Sequence, residues 1–398
     1  MVSFPSIGAR LRQARLAVGF SLDELASKLD RPLTKQALSK YETNKAVPTT
    51  LTLMDLARAL SVKPSFLLSE PRISISWVGY RKHAALRSRQ TEAITAWATK
   101  CLESEIGIRE LFDVSPHHTL PREIPVNDDG SAEEAAEHIR DSWHLGELPI
   151  NGVIDTIEEH GGIVLACEQV REFDGLSGWT DQASPVVVIN SATTTDRRRF
   201  DAAHELGHLV MSVQTDEHQY EPLAHRFAAA FLVPRSVALR ELGTKRTTLS
   251  FAELGVLKQR WGLSMQGWVR RAYDLAVIDF PHYRALNIEF RRRGWHLREP
   301  YQYEGREEPL LLRRLLSRAL IEGILSSRDA ADICPNYQDL LEPLEEPSHF
   351  SLRQLARLPR DQRYRILRDV HIEVDLQELD ALDRATCDES DTDLDKFP

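Results

Sequence analysis

Two histidines four residues apart, with a glutamate directly after the first, constrain the fold of this chain more than any other feature. The segment is His204-Glu-Leu-Gly-His208, and the apolar residues around it predict a buried helix: Phe200, Ala203, Leu206 and Val210. Positions i and i+4 of a helix share one face, so both imidazoles can reach one ion. The pattern also arises by chance, but these polar groups need a role inside a buried helix. We therefore expect a metal site, with Zn²⁺ as its ion and another divalent metal as the alternative.

Glu205 has the chemistry of a general base for hydrolysis. Zinc at a site with histidine ligands lowers the pKa of a water molecule to about 7. A carboxylate one residue after the first ligand is placed to hold that water and to take its proton. The motif thus predicts a catalytic role for Glu205.

A site of this kind needs a third protein ligand, and the residues after the helix offer several. The candidates are Asp216, Glu217, His218, Glu221 and His225. A second helix predicted from Glu221 onward would put Glu221 and His225 on one face. A carboxylate in the first turn of a helix is also favoured by the helix dipole. We interpret His225 as a residue that supports a ligand rather than as a ligand itself.

Residues 133–235 resemble the ImmA/IrrE family of metallopeptidases through a set of motifs around the histidines. These are Trp143-His-Leu-Gly146, Asp174-Gly-Leu-Ser-Gly-Trp179, Val187-Val-Ile-Asn190, Arg197-Arg-Arg-Phe200, Glu221-x-x-Ala224-x-x-Phe227-Ala228 and Leu232-Val-Pro234. The combination is far more specific than the histidine motif alone.

The resemblance implies a role for each matching residue. His204, His208 and Glu221 would bind the metal and Glu205 would be the base. The family usually has Asn where this chain has His225, so the surroundings of the ligands are expected to differ here. The strand containing Gly178-Trp179 would be the sheet edge to which a substrate strand adds.

The first 70 residues resemble the XRE-type, lambda-repressor-like helix-turn-helix. The matching residues are Ser21-Leu-Asp-Glu-Leu-Ala-Ser-Lys-Leu29, Thr34-Lys-Gln-Ala-Leu-Ser-Lys-Tyr-Glu42, Lys45 and Pro48. A recognition helix lays its N-terminal residues on base edges in the major groove. The expected DNA contacts are Thr34, Lys35, Gln36, Ser39, Lys40 and Lys45. Gln36 suits adenine, and the lysines suit phosphate or guanine.

Charge and cysteine usage fit a DNA-binding protein of the cytoplasm. The net charge is −10, yet residues 1–70 carry +4 and residues 372–398 carry −8. The four cysteines are far apart, which argues against a disulfide framework. No apolar run is long enough for a membrane span, and the first residues do not resemble a secretion signal. We expect no membrane partner.

The predicted fold class is mainly α with a small β-sheet, in five parts. They are the DNA-binding head (1–70), a helical connector or linker (71–130), a zincin-like metallopeptidase domain with a helical extension (131–300), a helical C-terminal region (310–371) and an acidic tail (372–398). Residues 300–309 are expected to be a further linker. Heads of this type often dimerise, so a homodimer is one expectation.

Two functions of different classes fit these features. In the first, the chain binds operator DNA and cleaves a protein, with a repressor as the expected substrate, in a stress or mobile-element response. In the second, it is an antitoxin or autorepressor whose metallopeptidase fold only binds a co-encoded partner. The intact His204, Glu205, His208 and Glu221 favour the first, since a scaffold has no need of Glu205.

Overall fold

In the computed structural model, the described residues are 7–78, 88–112, 119–168, 173–181, 183–213 and 217–333. They are mainly helical with a small mixed sheet, which confirms the predicted fold class. None of the helices in this part of the chain has the length and apolar character that a bilayer span requires. The helix predicted at 351–370 and the acidic tail lie outside the described residues.

The head is a bundle of five short helices, as predicted. They are α1 (Ile7–Ala17), α2 (Leu22–Lys28), α3 (Lys35–Glu42), α4 (Thr50–Ala59) and α5 (Pro64–Leu68). Their buried leucines form one core: Leu11, Leu25, Leu38, Leu56 and Leu67. α2 and α3 begin at the predicted caps, because the hydroxyls of Ser21 and Thr34 accept hydrogen bonds from backbone N–H groups of the first turn.

A buried ion pair fixes α1 against the end of α3. Arg15 donates from Nε and Nη2 to the two carboxylate oxygens of Glu42, at 2.6 and 2.8 Å. Gly8 allows the close approach, since a Cβ there would lie 2.5 Å from the backbone oxygen of Tyr41. The recognition helix is therefore held in one orientation on the bundle.

In the part of the chain that the structure describes, six strands form two small sheets. They are β1 (Ile75–Trp77), β2 (Ile124–Val126), β3 (Ile163–Cys167), β4 (Gly175–Thr180), β5 (Pro185–Asn190) and β6 (Met211–Val213). The larger sheet has the order β1-β4-β5-β3, with β4 antiparallel to both of its neighbours and β3 parallel to β5. β2 and β6 pair in parallel. The apolar runs and turn residues of the sequence predict strands at 163–167, 175–180 and 186–190, and the structure confirms all three to within one residue.

Eleven further helices lie within the described residues. They are α6 (Ser88–Glu110), α7 (Asp129–Ser142), α8 (Val153–Glu159), α9 (Thr195–Val210), α10 (Glu217–Leu232), α11 (Arg235–Leu242), α12 (Phe251–Trp261), α13 (Met265–Asp274), α14 (Phe280–Arg292), α15 (Leu311–Ile321) and α16 (Ser327–Ile333). Alternate residues of β5 point to opposite faces: Val188 packs with α6, and Val187 packs in the core that contains α9.

Three predicted helix limits are wrong. The apolar pattern around the histidines predicts a helix from Arg197 to Val213, but the helix ends at Val210, because residues 211–213 pair with β2 instead. The helix expected from Glu221 begins at residue 217, with Pro222 inside its first turns. The capping-box pattern Ser131-Ala-Glu-Glu134 predicts a helix that starts at Ser131, but α7 is capped by Asp128, whose carboxylate accepts from the Ser131 N–H.

The segment expected to be a connector is built into the fold. β1 extends the larger sheet and β2 pairs with β6. Between them, α6 buries Ile94, Ala98 and Leu102 on the larger sheet and also packs along α1. The abundance of proline near residue 120 predicts irregular backbone but does not show that this backbone pairs with distant strands.

Residues 300–309 are also not a free linker, because Glu307 is buried in the protein. Its carboxylate accepts from the backbone N–H groups of Val153 and Ile154 at the start of α8 and pairs with Arg199 at 2.6 Å. Both charged side chains are fully buried. A carboxylate at a helix N-terminus is favoured by the exposed N–H groups and the helix dipole. The segment thus fastens α8 to α9.

Replacing Glu307 tests this role. Glu307→Ala leaves the Arg199 charge buried without its partner, so we expect the free energy of unfolding to fall by about 3–5 kcal/mol. The matched control is Glu308→Ala, whose side chain is largely exposed and whose effect should stay within about 0.5 kcal/mol. Urea denaturation followed by circular dichroism measures both. Equal stabilities for the two variants would show that residues 300–309 are a linker after all.

Candidate metal centre and DNA-binding face

Helix α9 presents the two histidines of the motif side by side, as the spacing predicts. The Nε2 atoms of His204 and His208 lie 3.0 Å apart. Both residues are buried, as are Glu205, Leu206 and Val210 around them. Burial lowers the pKa of His204 to about 3, so its imidazole is neutral. A neutral imidazole is the form that binds a metal ion.

Glu221 completes the group from the neighbouring helix α10. Its Oε2 lies 3.2 Å from His204 Nε2 and its Oε1 lies 3.5 Å from His208 Nε2. Burial alone raises the pKa of Glu221, but the hydrogen bonds to the two histidines outweigh it and hold the pKa well below its usual range. The carboxylate is therefore ionised and available to a cation.

These three side chains fit a tetrahedral metal ion. Their ligand atoms form a triangle with edges of 3.0, 3.2 and 3.5 Å. Bonds of roughly 2.0–2.1 Å at tetrahedral angles need edges of about 3.3–3.4 Å. Two imidazoles and one carboxylate, with a fourth position left for a small molecule, are also the donor set of catalytic zinc sites. The group can therefore hold a divalent ion such as zinc.

A glycine inside the motif determines how close α10 comes to α9. A Cβ on Gly207 would lie 2.8 Å from Cδ1 of Phe227, a buried residue of α10. Any larger residue at this position would push the two helices apart and carry Glu221 away from the histidines. Ala224, between Glu221 and Phe227, is also completely buried in the contact.

Glu205 lies against strand β4 rather than in solvent. Ser177 Oγ of β4 donates to Glu205 Oε2 at 2.6 Å. A Cβ on Gly175, at the start of the same strand, would lie 2.5 Å from Glu205 Oε1. Burial raises the pKa of Glu205 to about 8, although the Ser177 hydrogen bond works in the opposite direction. The carboxyl group is thus held in one place, and its pKa lies close enough to neutral pH for it both to take up and to release a proton.

Ser177 and Tyr220 are site residues that sequence reasoning did not assign. Ser177 was part of a quoted motif, and its place two residues before Trp179 on a strand was the available signal. The Tyr220 ring stacks on His208 with centroids 4.8 Å apart, and its hydroxyl donates to the His208 carbonyl oxygen at 3.3 Å. Burial raises the Tyr220 pKa to about 12, so the hydroxyl stays protonated.

His225 lies beside the three ligand candidates but does not hydrogen-bond to their side chains through its Nδ1. That atom donates to the backbone oxygen of Glu221 at 2.8 Å, and the exposed ring meets the His204 ring edge-to-face at 4.4 Å. The other candidates cannot be placed: Asp216, and the side chains of Glu217 and His218, lie outside the described residues.

β4 is not the free sheet edge that the resemblance implied. Strand β1 pairs with it, with Ser76 opposite Trp179 and Trp77 opposite Gly178. Trp179 is covered on one face by the guanidinium of Arg122, 3.6 Å from its ring centroid. The expectation failed because β1 lies a hundred residues earlier in the chain, and no local pattern connects the two strands.

Five of the six predicted DNA contacts lie on helix α3 or at its N-cap, and Lys45 follows the helix. Thr34, Lys35, Gln36, Lys40 and Lys45 are exposed and Ser39 is half-buried. The Thr34 hydroxyl accepts from the Ala37 N–H and so caps α3. Lys35 lies 2.7 Å from Asp23 in an exposed ion pair, which is weak and leaves the lysine available to a phosphate.

Comparison with known protein families finds one match that contains the candidate metal site and a second match in the head. Residues 158–273 match the family model described as Peptidase_M78, IrrE N-terminal-like domain, and residues 11–67 match the one described as HTH_3, helix-turn-helix. No curated protein matches the chain. The chain therefore has an XRE-type helix-turn-helix, which implies DNA binding, followed by an ImmA/IrrE-type metallopeptidase domain.

Two alanine variants test the assignment of the third ligand. Glu221→Ala removes one corner of the triangle, and we expect zinc affinity to fall by more than about 100-fold. His225→Ala removes ring contacts to His204 and Phe200 and a hydrogen bond to the Glu221 backbone oxygen but no ligand, so the loss should stay within roughly 10–100-fold. Competition with a fluorescent zinc chelator measures both affinities. Loss of zinc in His225→Ala but not in Glu221→Ala would reverse the assignment.

Proposed function

We propose that this protein is a DNA-binding regulator with a zinc-dependent endopeptidase that cleaves a protein substrate. The observation that supports this most is the position of Glu205. It lies between two metal-binding histidines in sequence, is held by Ser177, and belongs to a chain that also has a helix-turn-helix. A site that only bound metal for structure would not need this glutamate.

His204, His208 and Glu221 would hold the zinc ion. When bound, zinc supplies Lewis-acid chemistry, making water nucleophilic near neutral pH and polarising a carbonyl group. Glu205 takes the proton at its carboxylate and returns it to the nitrogen of the leaving amine. Ser177 holds the Glu205 carboxylate in place through its hydrogen bond to one of the two oxygens. Tyr220 packs on His208 and keeps that ring in its orientation.

We propose a repressor as the first protein to test as a substrate, in a stress or mobile-element response. The head would bring the enzyme to operator DNA, where repressors are concentrated. The antitoxin alternative needs only a binding surface and leaves the Glu205–Ser177 pair without a role. We therefore favour the enzyme.

The exposed face of α3 would read the operator. Gln36 can form a bidentate pair with adenine, while Lys35, Lys40 and Lys45 neutralise phosphate or contact guanine. Thr34 and Ser39 lie on the same side and would contact the backbone or bases. Neutralised phosphates release counterions, so this binding should depend strongly on salt.

A glutamine variant tests the peptidase mechanism. Glu205→Gln keeps the size of the side chain but cannot take a proton, so cleavage should fall by about 10²–10⁴-fold while zinc content stays unchanged. The control is Glu147→Gln, an exposed glutamate that should have no effect. Cleavage of proteins encoded beside this gene is followed by gel electrophoresis. Unchanged cleavage of an authentic substrate by Glu205→Gln would refute the mechanism.

Two substitutions in the head separate base reading from phosphate binding. Gln36→Ala should lose about 1–3 kcal/mol of discrimination between operator and random DNA. Lys45→Ala should weaken both DNAs alike and reduce the salt dependence by about one ion. Fluorescence anisotropy with an operator selected from a random pool measures both. Equal losses on operator and random DNA for Gln36→Ala would show that the recognition residues are wrongly assigned.

A further inference from the structure

Strand β4 is the strand along which a peptide substrate would have to lie. Glu205 contacts its first and third residues, Gly175 and Ser177. A peptide is cleaved in an extended conformation, and pairing with a sheet edge holds an extended peptide through its backbone, whatever its side chains. If the proposed peptidase function holds, the edge of β4 that does not face β5 is the place for such a peptide.

That edge is already occupied by β1. The pairing covers Gly178 to Thr180 and is extended at both ends by hydrogen bonds, from Val78 N to Ser177 O at 2.9 Å and from Asp181 N to Ser74 O at 3.0 Å. Among the described residues, no strand pairs with the first part of β4, next to Glu205, on this edge. A substrate strand that extended along β4 would therefore collide with β1.

The backbones of β1 and β4 approach each other closely at Gly178. A Cβ on Gly178 would lie 2.8 Å from the backbone oxygen of Ser76, so a glycine is needed where the two backbones meet. β1 does not belong to either matched family region, since it lies between residues 67 and 158. It is supplied by the segment that follows the DNA-binding head.

The docked head holds this segment in place. Arg10 of α1 donates to the backbone oxygens of Ser69 and Glu70 and pairs with Glu103 of α6 at 2.5 Å. Glu103 in turn accepts from the Arg72 N–H at 3.1 Å. Arg10 is buried and Glu103 is half-buried, and their ion pair joins the head, α6 and the chain leading into β1.

The side chain of Trp77 connects β1 to the same interface. It borders a cavity of about 500 Å³ between α1 and α6, together with Ala9, Gln13 and Thr95. An open cavity beside Trp77 means that this side chain is not closely packed on every side. β1 is thus held by its hydrogen bonds to β4, by the packing of Ile75 and Trp77 on the core beneath α6, and by the position of the head.

We propose that β1 is an autoinhibitory strand: it occupies the place of a substrate on β4 while the head is docked on α6, and it leaves when the head moves. The docked head still exposes the recognition helix α3. The protein could therefore bind DNA with its peptidase closed. A partner or ligand that separated the head from α6 would open the site.

A proline in β1 tests the proposal. Hydrogen-bonded pairs alternate along an antiparallel ladder, and Ser76 lies midway between the bonds at Ser74 and Val78, so its N–H faces Trp179. Ser76→Pro removes this donor without removing a buried side chain, whereas the control Ser76→Ala keeps it. The probe is a fluorescein-labelled peptide with the sequence of residues 73–78. We expect Ser76→Pro to bind it at least about tenfold more tightly than wild type, and Ser76→Ala to match wild type.

A second measurement shows whether the release of β1 from β4 also increases peptidase activity. Cleavage of β-casein, an unfolded protein, should rise by at least about tenfold in zinc-loaded Ser76→Pro and vanish when Glu205→Gln is added. If no variant cleaves but the peptide still distinguishes Ser76→Pro, the occupied edge stands and the peptidase proposal fails. If Ser76→Pro cleaves no faster than an active wild type, β1 is not inhibitory.

The test with Ser76→Pro depends on whether this variant folds. A folded Ser76→Pro that binds the peptide no better than wild type would overturn it. Should thermal unfolding show that Ser76→Pro does not fold, Trp77→Ala takes its place, since it weakens the hold on β1 without altering the backbone. We then expect about a threefold gain in peptide binding, and no gain in the folded variant would refute the proposal.

Discussion

The close crossing of helices α9 and α10 is the contact on which the rest of the site depends. Gly207 and Phe227 meet there, and the separation they set brings Glu221 within 3.2–3.5 Å of the two histidines. Buried ion pairs hold α10 in this position. Glu133 of α7 pairs with Arg226 of α10 at 2.5 Å and with Arg271 of α13 at 2.8 Å. Removing one member of such a buried group leaves a charge without a partner, so the network fixes the arrangement of the helices.

Local sequence predicted those features that depend on residues close together in the chain. Each of these features lies within a single element. They are the spacing of His204 and His208, the caps at Ser21 and Thr34, and the apolar stretch of β5. Helix and strand periods are properties of short segments, so these elements follow from their own residues. The pattern of its own helix was not sufficient to assign Glu221 as a ligand, because the two histidines lie on another helix. The assignment came from the resemblance to a family.

Features that depend on contacts between distant segments were missed. The Ser177–Glu205 hydrogen bond joins residues 28 positions apart, and Glu307 reaches Arg199 across 108 positions. The pairing of β1 with β4 joins segments a hundred residues apart and turned an expected edge into an inner strand. A single sequence shows the polarity of each residue but not the residue it contacts. Glu307 lies in a segment that contains Pro and Gly, so residues 300–309 were predicted to be a linker although Glu307 is buried.

The central claim is that His204, His208 and Glu221 bind one metal ion next to Glu205. The most direct measurement is an anomalous difference map from crystals grown with zinc, with data collected on both sides of the zinc absorption edge. The account predicts one strong peak about 2.0–2.2 Å from both Nε2 atoms and from the Glu221 carboxylate, with Glu205 outside bonding distance. A peak bound by His225 in place of Glu221, or no peak at this position, would contradict it.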